Sequence, residues 1–136
     1  MPKRNYVEGR LHMRIVRTLQ RIEGLRFYHP PNEALRTPRA AMIMRAFGSC
    51  RAVPDLFIFG IEQQALTPIC IELKQPGKKP STEQTAWLNA LASMGWIAAA
   101  LDDYEAVLDV LQEHGYIDAS LRGLIWEGPD DQENQP

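Results

Sequence analysis

The chain predicts an α/β fold, a mixed β-sheet flanked by helices, and three observations carry that expectation. Apolar stretches of strand and helix periodicity follow one another in the order α–β–α–β–β–α–β–α. Two neighbouring strand segments, Val53–Phe59 and Thr67–Lys74, are joined by a connection of hairpin length. At 136 residues, with 45% hydrophobic side chains, the chain has material for one good core and no more.

The first helix is expected from about Asn5 to Glu23, stopped by Gly24. Its apolar side reads Leu11, Ile15, Leu19, Ile22, and Glu8 prolongs that inward face towards the N-terminus. Arg10, Arg14, Arg17 and Arg21 fall at the same spacing on another side and form an arginine stripe. Leu25–His29 reads as a short strand closed by Pro30-Pro31-Asn32, and Pro38–Phe47 as a short helix ended by Gly48. The hairpin strands follow. If their turn centres on Gln63-Gln64, Asp55 lies opposite Glu72, and side-chain alternation puts Asp55, Glu72 and Lys74 on one face of the sheet. Gln75–Pro80 is a basic loop carrying Lys78 and Lys79. Ser81 then caps a helix whose inward residues are Gln84, Trp87, Leu88, Leu91 and Met94, with Gly95 as its stop. Trp96–Leu101 reads as a buried strand, and Asp102 or Asp103 begins a helix through Val107, Leu108 and Leu111. Leu121–Trp126 is expected to be an edge strand. Residues 1–126 form the domain, and residues 127–136 form an acidic tail with the composition of a disordered segment.

No apolar run approaches the roughly 18 residues of a membrane span, and the basic start lacks the apolar segment of a secretory signal. Two cysteines are too few for a disulfide framework, and neither has a partner at zinc-ligand spacing. The expected setting is reducing and cytoplasmic, with Cys70 as a small core hydrophobe. The net charge of −2 conceals a steep asymmetry. Residues 1–51 carry eleven Lys and Arg against three acids, a local +8, while the remainder carries −10. A basic half of this kind neutralises phosphates whatever the total charge; a solvated surface of uneven sign is the plainer alternative.

The chemistry is concentrated between Val53 and Trp87. A carboxylate at a strand entrance (Asp55), a carboxylate and a lysine two residues apart on the next strand (Glu72, Lys74) and an inward glutamine (Gln84) are the set that metal-dependent phosphodiester hydrolysis requires. An Asp…Glu-x-Lys pattern alone is weak. Its weight comes from lying inside an otherwise apolar strand, where ionised groups are costly unless paired or metal-bound. A purely structural ion pair of Lys74 with Glu72 or Asp55 is the competing account. Gln84 has one too, because Ser81-x-x-Gln84 is a capping box. His12 and His114 read as surface or boundary residues and Trp87 as core.

These residues resemble the PD-(D/E)xK nuclease superfamily, and within it the virus-type replication-repair nuclease (VRR-NUC) family. The likeness extends to His29-Pro30-Pro31-Asn32-Glu33 with Arg36, to Gly48 before Val53-Pro54-Asp55-Leu56, to Ile71-Glu72-Leu73-Lys74, to Ser81-x-x-Gln84-x-x-Trp87-Leu88, and to Leu91-x-x-x-Gly95. Glu8 fits the family's N-terminal helix glutamate. Two positions depart from it: Ala52 and Ala34 stand where the family usually has glycine, and alanine disfavours positive φ.

The resemblance implies a single restriction-endonuclease-like domain that hydrolyses DNA with Mg²⁺ or Mn²⁺. Its catalytic residues would be Asp55, Glu72, Lys74 and Gln84. Glu8, Asp55, Glu72 and the main-chain carbonyl of Leu73 would be the metal ligands. Arg10, Arg14, Arg17, Arg21, Arg36, Arg39, Lys78 and Lys79 are expected to contact phosphates as a group. His29 and Asn32 either position a phosphate or brace their loop. Standalone members of the family look like homodimers acting on branched DNA such as Holliday junctions, and a phage origin within a bacterial host suits so compact a version. The alternative from another class is a nuclease-fold protein that binds nucleic acid without cutting it. No residue identifies a reader of the 2′-hydroxyl, so DNA and RNA both stay open.

Overall fold

The computed structural model describes residues 3–31 and 37–126, with side chains from Val7 onward. Asn32, Ala34, Arg36 and the tail from residue 127 lie outside the described residues. The elements are α1 (Lys3–Gln20), β1 (Leu25–Tyr28), α2 (Pro38–Ala46), β2 (Leu56–Ile61), β3 (Ile69–Leu73), α3 (Thr82–Ser93), β4 (Ile97–Leu101), α4 (Tyr104–Glu113) and α5 (Ala119–Ile125).

Helix α1 forms on the 3–4 spacing that brings Leu11, Ile15, Leu19 and Ile22 to one side, and all four are buried. Beyond it the amides of Arg21 and Ile22 bond three residues back, to the carbonyls of Thr18 and Leu19, which tightens the chain into a last turn. Gly24 follows at φ +78°, a left-handed conformation that glycine adopts without a Cβ penalty. Its carbonyl accepts the Glu62 amide at 2.9 Å, which ties the end of α1 to the distant hairpin.

The sheet runs β1-β2-β3-β4. The first two pairings are antiparallel, and β3/β4 is parallel with α3 as the crossover. Leu56 pairs with Ile71, Phe57 with Cys70 and Ile58 with Ile69. That register centres the hairpin between Gln63 and Gln64, as its loop length predicts, with Gln63 at φ +66° and the Gln64 amide on the Ile61 carbonyl. One step beyond the ladder, Asp55 stands across from Glu72.

Both faces of the sheet are covered. Leu56, Ile58, Ile69, Ile71 and Leu73 pack with α1 and α4 into the main core, which includes Ile15, Leu19, Tyr104, Leu108 and Leu111. On the other face Cys70 meets Leu88 and Leu91 of α3, bordered by Phe57, Trp87 and Trp96. Burial pushes the Cys70 thiol up to about 11, so it packs as a neutral group. Helix α2, capped by Thr37 with Pro38 in its first turn, contributes no buried residue.

Three expectations are corrected. The strand read over Trp96–Leu101 is present as β4 but is not buried, because it lies at the edge of the sheet, where none of its residues is fully covered and Ala100 is exposed. Leu121–Trp126 is not a strand; its residues belong to α5. Asp118 caps that helix by accepting the Leu121 amide at 2.7 Å, and the 121/125 spacing brings Leu121 and Ile125 to the core. Met94 is not inward. It lies at the C-cap of α3 and is 72% exposed, because the helix ends before the turn that would carry it over the sheet. The order of all the other elements is as the periodicity predicts.

Leu108 is fully buried between α4 and the sheet. Leu108→Ala is expected to lower unfolding free energy by roughly 2–5 kcal/mol, read from urea denaturation with the slope unchanged.

Candidate active site

Alternation along β3 turns Cys70, Glu72 and Lys74 towards α3, and the hairpin register brings Asp55 to the same end of the sheet. Glu72 is the centre of this arrangement. It is 4% exposed. Its Oε1 accepts from Gln84 Nε2 at 2.9 Å, with Lys74 Nζ at 3.9 Å. Its Oε2 is buried and receives no hydrogen bond from a donor among the described residues; the neighbouring Asp55 carboxylate can share a hydrogen bond with Glu72 only while one of the two is protonated. Burial, reinforced by the negative charge of Asp55, pushes the Glu72 carboxyl from 4.5 up to about 8, against the pull of Lys74. The metal-free fold therefore favours the neutral acid. That contribution to stability is complete below about 4.5 and is lost as the pH rises through about 8.

Gln84 fills both of the roles its position offers. Its Oε1 accepts the Ser81 amide at 2.8 Å while Ser81 Oγ accepts the Gln84 amide, which closes the capping box. The Ser81 amide can only donate, so the Gln84 carbonyl must face it. The NH₂ end is thereby aimed at Glu72. The cap of α3 orients the glutamine, and the glutamine orients the carboxylate.

Asp55 is held from two sides. Its Oδ2 accepts the Leu73 amide at 2.7 Å, and its main-chain carbonyl accepts His29 Nδ1–H at 2.6 Å, so His29 carries its proton on Nδ1. Glu8 reaches the same end of the sheet from α1, where its Oε1 accepts the Gln75 amide at 3.2 Å. Among the described residues no three His, Cys, Asp or Glu side chains already close around a common point, because Asp55 and Glu8 are each turned onto a main-chain N–H. The donor chemistry still fits a hard divalent cation. The carboxylates supply oxygen, and the orphaned Glu72 Oε2 is a buried acceptor without a donor.

His12 was not legible as a neighbour of this site, although it follows Glu8 by four residues and so shares its helix face. It is half-buried, its ring 4.3 Å from that of His29 in an edge-to-face contact. Burial and then His29 hold its pKa below the usual histidine value, partly offset by Asp55. The arginine stripe is divided between covered and exposed positions. Arg14 is 8% exposed with its guanidinium 4.0 Å from the centre of the Tyr104 ring, and Arg21 donates to the Ile125 carbonyl. Arg10 and Arg17 also have partners within the protein. Arg14 and Arg21 thus brace α1 against α4 and α5, while Arg17 and Arg21 stay exposed. Arg39, Lys78 and Lys79 are exposed. Lys74 keeps a 17% exposed side chain beside Glu72.

A groove of about 360 Å³ opens beside Asp55, between the β1–α2 connection and the loop before β2. That loop is held by Trp87 Nε1, which donates to the Arg51 carbonyl at 3.1 Å. Ala52 follows at φ +64°, so the left-handed conformation is kept without the glycine that suits it.

A mixed sheet whose hairpin presents two carboxylates and a lysine to the crossover helix defines a nuclease-type α/β domain. The family model for the VRR-NUC domain matches residues 26–103, and the chain belongs to that family. Among solved structures, a VRR_NUC domain protein aligns at 21% identity and a TM-score of 0.62, covering 80% of this chain and 88% of its own. A second, a VRR_NUC domain, aligns at 19% identity and 0.54, covering 81% and 98%. None of the curated proteins matches the chain.

Because Ala52 pays the left-handed penalty, Ala52→Gly is expected to raise stability, by up to about 1 kcal/mol. Thermal unfolding checks the sign; a loss of stability would mean that the loop tolerates alanine without strain.

Proposed function

We propose that the protein is a metal-dependent nuclease hydrolysing DNA phosphodiester bonds, a structure-selective endonuclease on branched DNA of the Holliday-junction type. The observation that carries this reading is Glu72: a buried carboxylate with one oxygen held by Gln84 and Lys74 and the other without a donor. A structural ion pair needs no such orphaned acceptor, and a cation-binding carboxylate does.

Glu8, Asp55, Glu72 and the Leu73 main-chain carbonyl would hold Mg²⁺ or Mn²⁺, which supplies polarisation of a phosphate oxygen and a bound water of lowered pKa. The chain's own groups do the remaining work. Gln84 keeps Glu72 in one rotamer through the capping box. The Leu73 amide and His29 fix Asp55 at the end of the sheet. Lys74, sheltered next to Glu72, is placed to orient or deprotonate the attacking water or to offset charge building on the phosphoryl oxygens. Exposed Arg39, Lys78 and Lys79 supply phosphate contacts that set orientation without reading bases.

The branched-DNA preference, a homodimer whose two-fold axis matches a four-way substrate, and a cytoplasmic setting in a bacterial or phage-infected cell belong to the same proposal. They rest on the likeness to standalone members of the family. Among the described residues no helix is long and apolar enough to cross a membrane.

One observation favours a second reading, a nuclease fold that binds without cutting: Asp55 and Glu8 are already satisfied by main-chain amides. Cleavage of a labelled four-way junction, a flap and a linear duplex in Mg²⁺, Mn²⁺ or EDTA separates the two. Lys74→Ala is expected to lower kcat by roughly 10²–10³ with DNA binding retained. Wild-type turnover in that variant would refute the site, and salt-sensitive binding with no cutting by the wild type would establish the binder.

A further inference from the structure

The groove beside Asp55 combines features that its position next to the site does not by itself require. Arg45 from α2 and Arg51 from the loop before β2 line it together with His29. Both arginines are exposed, and neither side chain has a hydrogen-bond or ion-pair partner among the described residues. Arg26 and Arg122, in contrast, are engaged by Glu62 and by Glu105 and Asp109. Pro30 and Pro31 form part of the remaining wall, with the fully buried Pro54 behind it. Neither Pro30 nor Pro31 has an N–H to offer an anion, and their rings present rigid apolar surface beside the two guanidiniums. The geometry is also held in advance: Trp87 fixes the Arg51 carbonyl, and Pro54 is fully buried. One end of the groove is Asp55 itself.

We propose that this groove is the subsite for the phosphodiester unit adjacent to the one being cut. Its sugar lies against the proline rings and its phosphate between the Arg45 and Arg51 guanidiniums, whose planar forks suit a phosphate. About 360 Å³ accommodates one such unit rather than a duplex, so a single strand of the substrate threads past Asp55. The assignment rests on the nuclease reading for which strand this is; binding of the strand can be tested without cleavage.

The test is equilibrium binding of fluorescent DNA, duplex and single-stranded, in EDTA over a range of salt. Arg45→Gln combined with Arg51→Gln is expected to weaken binding and to reduce the slope of log K against log salt by about 0.9 for duplex, or about 0.7 for a single strand, the loss of one phosphate contact. Arg26→Gln, one charge removed elsewhere, leaves the slope at its wild-type value. Lysine at both groove positions restores most of it. An unchanged slope in the double variant, or an equal fall in Arg26→Gln, overturns the proposal. The two readings separate cleanly. Metal-dependent cutting by the wild type with no slope change in the double variant removes the groove and keeps the nuclease. A reduced slope in a protein that cuts nothing keeps the strand-binding groove and removes the nuclease.

Discussion

The arrangement depends on one interaction, the hydrogen bond from Gln84 Nε2 to the buried Glu72 carboxylate. A carboxylate in the second-last position of a wholly buried strand is costly, and here the cost is only partly offset. Lys74 stands 3.9 Å away, Gln84 gives one hydrogen bond, and the second oxygen receives none. The elements around it are those needed to keep this group in place. The hairpin sets Asp55 across from it, the parallel pairing with β4 holds β3 from the far side, and the cap of α3 fixes the glutamine.

The coupling of a helix cap to a site residue explains why two accounts of Gln84 looked like competitors in the sequence. A glutamine amide has an acceptor end and a donor end, and the capping box uses only the acceptor. Ser81 therefore does more than start α3, since its amide decides which way Gln84 points and so which atom meets Glu72. The Trp87 indole works similarly one turn later, from the same helix, by holding the loop that precedes Asp55. Helix α3 is the common support for both halves of the site.

What the sequence made legible follows from local periodicity. Alternation in Ile69–Lys74 gave the shared face of Glu72 and Lys74, and the length of the Gly60–Leu66 connection gave the register that sets Asp55 opposite Glu72. The spacing of Leu11, Ile15, Leu19 and Ile22 gave α1. The readings that failed needed tertiary information or a signal given too little weight. Residues 121–126 look strand-like until Asp118 is recognised as an N-cap. Arginine spacing on α1 says which residues share a side, but not that Tyr104 of α4 will cover Arg14. His12 became a neighbour of the site only when β1 placed His29 beside it. Arg45 and Arg51 come together from a helix and a loop that no periodicity relates.

The central claim is that Glu72 is retained for a cation and not for an ion pair with Lys74. The most direct measurement is Mn²⁺ titration of wild type and Glu72→Gln, with unfolding followed in the metal-free proteins at about pH 4.5 and about pH 8. Glutamine preserves the acceptor facing Gln84 and removes the ionisable group. Under this account, Mn²⁺ binding is lost, while the metal-free variant matches wild type at about pH 4.5 and gains on it as the pH rises to about 8, because the wild-type carboxyl is harder to ionise in the folded chain than in the unfolded one. Undiminished Mn²⁺ binding by Glu72→Gln, together with a marked loss of metal-free stability, would contradict it and make Glu72 the structural partner of Lys74.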